Sequence, residues 1–176
     1  YSDSFYGGHT LIGLGGQHYL FGFIAIFYNN HNSITTLYSH DHCTIAFFDI
    51  PPGLSSVEFI RSTPPQILSN IYEMLTIHIR DDFDRQQIIN SKSVKVKLAR
   101  YMIYSSKNAG SMQFDIKMNR TELSNFLGAY RTTLSRELSR MEREGLIRTE
   151  GSLITILDYR KLLDIEMTSY YGAEDI

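Results

Sequence analysis

The sequence has few features that would cross-link the chain or carry it into a membrane. Its 176 residues include a single cysteine, Cys43, which excludes an internal disulfide and any cluster held by four cysteines of one chain. No apolar run approaches the roughly 20 residues that span a bilayer, and the first residues lack a basic segment followed by a hydrophobic one. We therefore expect a soluble cytoplasmic protein with no membrane partner.

An excess of charge of one sign is also missing. The 17 Lys and Arg residues face 19 Asp and Glu residues, and the net charge of -2 gives no overall attraction to phosphate. Any affinity for nucleic acid must come from locally placed charge. The chain is 43% hydrophobic and 12% aromatic, which is enough for real cores.

Sequence motifs of enzymes are absent as well. The chain has no phosphate-cradling P-loop, no H-E-x-x-H pair and no nucleophile elbow, so we expect no catalysis. An enzyme would have to build a metal site from His40, Asp41 and His42, whose alternating histidines could also ligate haem. A polar triplet between two strands is more often a turn, and we assign no metal site.

The first third of the chain has a β pattern. Short apolar stretches between Gly7 and Ile50 are separated by Gly and Asn, and Cys43 to Phe48 reads as a further strand. A helical period begins after Pro64-Pro65, since proline commonly opens a helix. It repeats apolar residues three and four apart, at Leu68, Ile71, Leu75, Ile79 and Phe83. This stripe fits either an internal core or a seam with a second copy.

A second helix is predicted from about Ser93 to Tyr104, with Lys92, Lys95 and Lys97 solvated near its start. The Ser-, Asn- and Gly-containing stretch from Ser105 to Ser111 reads as a linker or loop.

The most informative segment is Met118 to Ile147. Asn119 and Glu122 have the spacing of a capping box before a short helix, and Gly128 permits the positive φ that ends it. A second helix follows from Arg131, with Leu134, Leu138 and Met141 on its buried side. Two β-prone runs, Leu146 to Thr149 and Leu153 to Leu157, read as a hairpin wing, with Gln113 to Ile116 as a possible third strand.

The other side of this second helix carries hydroxyls and guanidinium groups, as a DNA recognition face would. Arg bonds O6 and N7 of guanine in the major groove, and Ser and Thr suit phosphates or bases. The alternative is a solvated helix whose arginines pair with Glu137, Glu142 and Glu144. The helix-turn-helix-wing context favours DNA binding. On this face we predict DNA contacts from Thr132, Ser135, Arg136, Ser139 and Arg143, and we add Thr121 of the first helix to them.

The same residues carry a family resemblance. The runs Asn-Arg-Thr-Glu-Leu-Ser-Asn-Phe-Leu-Gly, at 119–128, and Arg-Thr-Thr-Leu-Ser-Arg-Glu-Leu, at 131–138, resemble the Crp/Fnr regulators, a family that includes one of the well-known helix-turn-helix docking examples. The run Phe21 to Phe27 is similar to the family's Phe-Gly-Glu segment. The resemblance implies an α+β fold: a jelly-roll-like β-roll effector domain (double-stranded β-helix), a long helix that forms a parallel homodimer, and a C-terminal winged helix-turn-helix.

The implied division is 1–63 for a partial β-roll, 64–106 for the dimerisation and hinge helices, 107–168 for the DNA-binding domain and 169–176 for a tail. Only the second half of the β-roll is expected here. The implied partners are double-stranded DNA, a second copy paired along the Leu68 to Phe83 stripe, and RNA polymerase.

The resemblance also assigns roles at the recognition helix. Arg131 and Arg136 match the family's two recognition arginines, and Ser135 matches a serine of some members. Thr132 replaces a Glu that accepts a hydrogen bond from cytosine, which leaves the half-site sequence open. Tyr130 stands where Ser or Thr would cap the helix, and it forgoes about 1 kcal/mol of capping unless another group substitutes. The DNA contacts that the resemblance adds are therefore Arg131 and Tyr130, whose hydroxyl is expected to bond a phosphate.

The effector positions depart from those members that bind cyclic nucleotides. Such members carry a Glu after Phe-Gly and an Arg farther on, where this chain has Phe23 after Phe21-Gly22, and Ser33-Ile34. Both charges are gone, and burying a phosphate without its Arg costs several kcal/mol. Cyclic AMP is therefore disfavoured, and the effector or cofactor is unknown. A β domain that senses nothing is the alternative, and the lone Cys43 argues against an iron-sulfur cluster.

Overall fold

The computed structural model of the protein describes residues 2–3, 9–10, 19–22, 36–39, 42–48 and 53–171. The chain divides into two compact units, Tyr1–Arg80 and Asp81–Ile176, which are taken in turn. The described residues are mostly helical, with a three-stranded sheet near the C-terminus. None of the helices in these residues is both long and apolar enough to cross a bilayer.

The first unit contains a short strand pair and helical segments. Strands β1 (Ser2–Asp3) and β2 (His9–Thr10) pair in antiparallel fashion. Helix α1 spans Ser56–Ser62. It begins with a capping box, because Glu58 N donates to Ser55 Oγ at 3.2 Å while Ser55 N donates to Glu58 Oε2 at 2.9 Å. No helix was predicted for this stretch.

The long helix α2 spans Pro65–Ile89 and begins at the proline that predicts its start. Of its 25 residues only Ile88 is buried. The N-terminal part of the predicted apolar stripe, Leu68, Ile71 and Leu75, is half-buried. Farther along, Ile79 and Phe83 are 69% and 62% exposed. The predicted helix is confirmed, and most of its apolar surface is not covered by the described part of this chain.

The predicted strand from Cys43 to Phe48 is wrong. Residues 42–48 adopt no regular secondary structure, and all their side chains are exposed. A strand needs a hydrogen-bonded neighbour, and in the described ranges none pairs with this segment. Most of the predicted β-roll lies outside the described residues.

Within the described residues, the second unit is built from the last turns of α2, four further helices and a sheet. In chain order its elements are α3 (Val94–Ala109), β3 (Gln113–Asp115), α4 (Arg120–Phe126), α5 (Arg131–Arg143), β4 (Ile147–Glu150), β5 (Leu153–Ile156) and α6 (Tyr159–Tyr171). Its core comprises fully buried side chains from each of these four helices and from β4 and β5, namely Leu98, Met102, Leu123, Leu134, Met141, Ile147, Ile154 and Leu162.

The sheet has the order β3-β5-β4, with both pairs antiparallel. Ile154 of β5 lies opposite Phe114 on one side and Thr149 on the other. Gly151 has a φ of 65° in the turn between β4 and β5, a conformation that suits glycine. The predicted wing and its third strand are confirmed.

Helix α3 is longer than predicted, because residues 105–109, assigned to a loop, continue it to Ala109. The burial of Ser106 offsets the weak helical preference of this stretch, while residues 107–109 are exposed. Ser106 is buried and its hydroxyl donates to Ile103 O at 2.9 Å, so the polar side chain is satisfied within the helix. Gly110, with a φ of 60°, ends the helix. Helix α6, for which the sequence analysis assigned no element, packs on α3.

Candidate nucleic-acid interface

Helix α4 begins at the predicted capping box. Asn119 Oδ1 accepts from Thr121 N at 2.9 Å and from Glu122 N at 3.0 Å. In return Asn119 N donates to Glu122 Oε2 at 2.8 Å. These bonds satisfy three backbone N–H donors at the helix start. The side chain of Thr121, which was predicted to contact DNA, is exposed.

The turn between α4 and α5 is held from outside the motif. Gly128 adopts a φ of 57°, as predicted. The Lys97 ammonium donates to Leu127 O at 2.9 Å and Gly128 O at 3.2 Å, which satisfies carbonyls that α4 leaves open at its end. Burial lowers the pKa of Lys97.

Two of the lysines predicted to be merely solvated are therefore engaged in contacts. Lys97 holds the turn, and Lys95 Nζ lies 2.8 Å from Glu144 Oε2. Lys92 is exposed, as predicted. A lysine four residues into a helix gives no sequence signal of such contacts, because the acceptors of Lys97 lie 30 and 31 residues away.

Helix α5 has the two faces predicted from its periodicity. Leu134, Leu138 and Met141 are buried, with exposures of 0 to 2%. They anchor the helix against the rest of the unit and fix which residues face outward. The prediction of its buried side is confirmed.

The outward face of α5 is polar and basic. Arg131 and Arg136 form no ion pair with any residue that the structure describes. Arg140, in contrast, pairs with Glu144 at 2.8 Å, and Arg143 Nε donates to Ser139 O at 3.4 Å within the helix. The predicted contacts on this helix are all exposed: Arg131, Thr132, Ser135, Arg136, Ser139 and Arg143.

This arrangement leaves two guanidinium groups on a rigid helix with their donors available. Such groups can bond guanine in the major groove or neutralise phosphates. Of the three glutamates considered as arginine partners, only Glu144 pairs with an arginine of the helix in the described residues. Within the described residues, Arg131 and Arg136 therefore lack the glutamate pairs that the solvated-helix alternative assigned to the arginines of this helix.

Glu142 has a different partner, which the sequence analysis missed. Thr149 of β4 donates to Glu142 Oε1 through its backbone N–H, at 2.7 Å, and through its hydroxyl. These bonds join the last turn of α5 to the wing. A helix residue and a strand residue seven positions apart give a weak sequence signal of this link.

Tyr130 precedes α5 at the capping position and makes no side-chain capping bond. Its side chain is 84% exposed. As expected for a tyrosine in place of Ser or Thr, the start of α5 has no side-chain cap. The exposed phenol stands next to the face that carries Arg131 and Thr132.

The other predicted site residues are only partly described. Phe21 is 47% exposed and Gly22 has a φ of 75°, while Phe23, Ser33 and Ile34 lie outside the described residues. His42 is exposed, and His40 and Asp41 also lie outside them. Within the described ranges no group of His, Cys, Asp and Glu side chains could hold a metal ion.

Comparison with known proteins adds the family context. Residues 96–165 match the model of the Crp-like helix-turn-helix domain. The transcriptional activator protein FnrA of Stutzerimonas stutzeri is 29% identical over 99 residues, which cover 53% of this chain and 41% of that protein. The anaerobic regulatory protein of Pasteurella multocida is 27% identical over 156 residues, covering 85% and 55%. The chain spans about half the length of the curated relatives it matches.

Solved structures share the fold. FixK2 from Bradyrhizobium japonicum aligns with a TM-score of 0.54 at 19% identity, over 63% of this chain and 57% of that one. A CRP-family transcriptional regulator from Thermus thermophilus aligns with a TM-score of 0.50 at 18% identity, over 64% and 60%.

Proposed function

Because the chain belongs to the Crp/Fnr family of transcription regulators, a non-enzymatic family, we propose that it is a DNA-binding transcription regulator that acts as a homodimer on a palindromic site. The observation that carries the proposal is the outward face of α5, where Arg131 and Arg136 are exposed and unpaired within the described residues. Tyr130, Thr132, Ser135 and Ser139 supply hydroxyls around them, and Arg143 and Thr121 reach phosphates.

The homodimer is supported by α2. A helix of 25 residues with exposed Ile79 and Phe83, and with Tyr72 72% exposed beside them, has an apolar surface that a second copy would cover. Pairing along Leu68, Ile71, Leu75, Ile79 and Phe83 gives the dimer its twofold axis. Palindromic DNA then follows, because each half-site meets one recognition helix.

Regulation is proposed to come from the β region ahead of α2, through an effector other than a cyclic nucleotide. Phe23 and Ser33-Ile34 replace the charges that a cyclic nucleotide requires. RNA polymerase is the proposed protein partner and the cytoplasm the proposed location. A constitutive DNA-binding protein, whose β region senses nothing, remains the second candidate.

The test is selection of binding sites from randomised duplex DNA, followed by the mass of the complex in solution. We expect enrichment of a palindrome bound by two chains. No enriched sequence, or one chain on an asymmetric site, would contradict the proposal. Comparing the affinity for the selected site before and after adding cell extract separates the sensor from the constitutive binder, because only a sensor responds.

A further inference from the structure

The interior of the second unit contains a charged residue that the DNA-binding face does not use. Arg100 lies in α3 and is 8% exposed. A guanidinium group is costly to bury unless its donors are satisfied and its charge is balanced. Its partners therefore indicate what the residue does.

Arg100 joins three segments at one point. Its Nη1 donates to Gln87 O, in the last turn of α2, at 2.7 Å, and to Ser91 Oγ, between α2 and α3, at 2.9 Å. Ser91 Oγ in turn donates to Gln87 O at 3.0 Å. The Arg100 Nε lies 3.6 Å from Glu166 Oε1 of α6, which supplies the opposite charge.

The end of α2 also touches the helix-turn-helix directly. The Arg85 guanidinium lies 5.0 Å from the centre of the Phe126 ring of α4, and Tyr101 of α3 meets the same ring edge-on at 5.7 Å. A Cβ on Gly128 would lie 3.7 Å from Ile89 Cγ2, in ordinary contact. The last turns of α2 are thus packed into the DNA-binding unit, and Arg100 bonds the carbonyl at their end.

We propose that Arg100 is a positioning residue for DNA binding, which fixes the direction in which α2 leaves the DNA-binding unit and so sets the half-site spacing that the dimer accepts. The inference rests on the proposed homodimer. Recognition helices on successive major grooves lie about 34 Å apart, and one inserted base pair adds about 3 Å to that separation and turns one half-site by about 35° relative to the other. A fixed direction of α2 therefore lets the dimer distinguish the two spacings. Apolar side chains would fix the direction of α2 less specifically than Arg100 does, because a guanidinium bonds its acceptors in fixed directions.

The experiment measures spacing preference in the full chain. Three duplexes are titrated by fluorescence anisotropy: the palindrome selected by the unaltered protein, the same palindrome with one base pair inserted at its centre, and a single half-site. We expect the insertion to weaken binding of the unaltered protein by about tenfold, a loss on the scale of one mismatched base pair.

Arg100→Met keeps an unbranched side chain as long as the arginine stem and removes the charge and the donors. In this variant we expect the insertion penalty to fall below about threefold, while half-site affinity changes by less than about twofold. Loss of stability alone would weaken all three duplexes together. Arg160→Met is the matched control, because Arg160 is an exposed arginine of α6, and it should keep the full penalty.

A full penalty in Arg100→Met would overturn the inference. If Arg100→Met loses half-site binding because it misfolds, the same three duplexes are titrated with Ser91→Ala and Arg100→Lys. Each leaves the bond network incomplete, and a full penalty in both overturns the inference. If the unaltered protein binds both palindromes no more tightly than the single half-site, the dimer proposal fails and the inference fails with it. If it binds the two palindromes equally but more tightly than the half-site, the dimer proposal stands and only the inference fails.

Discussion

At the scale of single residues, Arg136 is the side chain with the clearest expected signature. It is exposed on α5, opposite the buried Leu134, Leu138 and Met141, and has no ion pair in the described residues. If it bonds guanine through two donors, Arg136→Ala should cost about 1 to 3 kcal/mol per half-site and relax preference at one base pair. Site selection and affinity for the selected duplex measure both effects.

The matched control is Arg140→Ala, since Arg140 is exposed on the same helix but paired with Glu144. It should leave the selected sequence unchanged. Equal losses of specific and random affinity in Arg136→Ala, with an unchanged selected sequence, would show that Arg136 does not read a base.

Arg143 should behave differently from Arg136. It lies in the last turn of α5 and is expected to meet phosphate. Arg143→Ala should therefore weaken all sequences alike and flatten the slope of log affinity against log salt by roughly one unit per contact. Titrations at two salt concentrations measure the slope, and a change in the selected bases would contradict a phosphate role.

The residues at the effector positions predict a negative result. We propose that Phe23 and Ser33 occupy the two positions where a cyclic nucleotide requires charges, so cyclic AMP and cyclic GMP should not bind appreciably. Calorimetry on the protein is the measurement. A dissociation constant of about 10 μM or tighter, worth roughly 7 kcal/mol, would contradict the prediction.

At the scale of secondary-structure elements, the start of α5 is open to a designed change. Tyr130 makes no capping bond, so Tyr130→Ser should stabilise the protein by about 1 kcal/mol through a new bond to the helix backbone. Thermal or chemical unfolding measures the gain. Tyr130→Phe is the control, because it adds no cap and should leave stability unchanged.

The same pair of variants tests the phenol as a phosphate ligand. If the Tyr130 hydroxyl bonds DNA, Tyr130→Phe should weaken binding without changing stability. Equal affinities of Tyr130→Phe and the unaltered protein would exclude that contact.

Elements that are specified locally were predictable from the sequence. The Asn119 capping box, the Gly128 turn, the apolar side of α5 and the wing depend on residues close together in the chain, and all are confirmed. Elements that depend on distant partners were not. Residues 105–109 continue α3, and the burial of Ser106 among them depends on how the unit packs. The segment Cys43 to Phe48 lacks, within the described ranges, the strand partner that its composition favours.

In the candidate site, too, the features specified by nearby residues were predictable and those that depend on distant partners were not. The exposed residues of α5 could be placed from helix periodicity alone. The groups that hold this helix in position could not, because the Lys97 bonds to the turn and the Glu142 bonds to Thr149 depend on how separate elements meet. Arg100, with partners on two other helices and the turn between α2 and α3, gave no sequence signal.

At the scale of the whole molecule, the dimer is the property most open to test. Replacing both Leu75 and Ile79 with Asp places charges in the proposed seam, where unpaired burial is costly. The variant should be monomeric by light scattering and should lose affinity for palindromic DNA. A dimer with intact affinity would show that the seam lies elsewhere.

The control is Ile77→Asp. Ile77 is 46% exposed and lies on nearly the opposite side of α2 from Leu75, about 200° around the helix. This variant should remain dimeric and bind palindromic DNA. If it dissociated as readily as the double variant, the loss would reflect damage to α2 rather than to one face.

The exposed stripe of α2 has a consequence for how the protein responds to its own abundance. In the proposed dimer a second copy covers this surface, so pairing would follow mass action and folded single chains would not suffice for binding to a palindrome. While most chains are single, the concentration of pairs grows as the square of the total, and a threefold rise in chains gives about a ninefold rise in pairs. The rate at which a cell makes this protein would then act as an input to the promoter in its own right, alongside any effector.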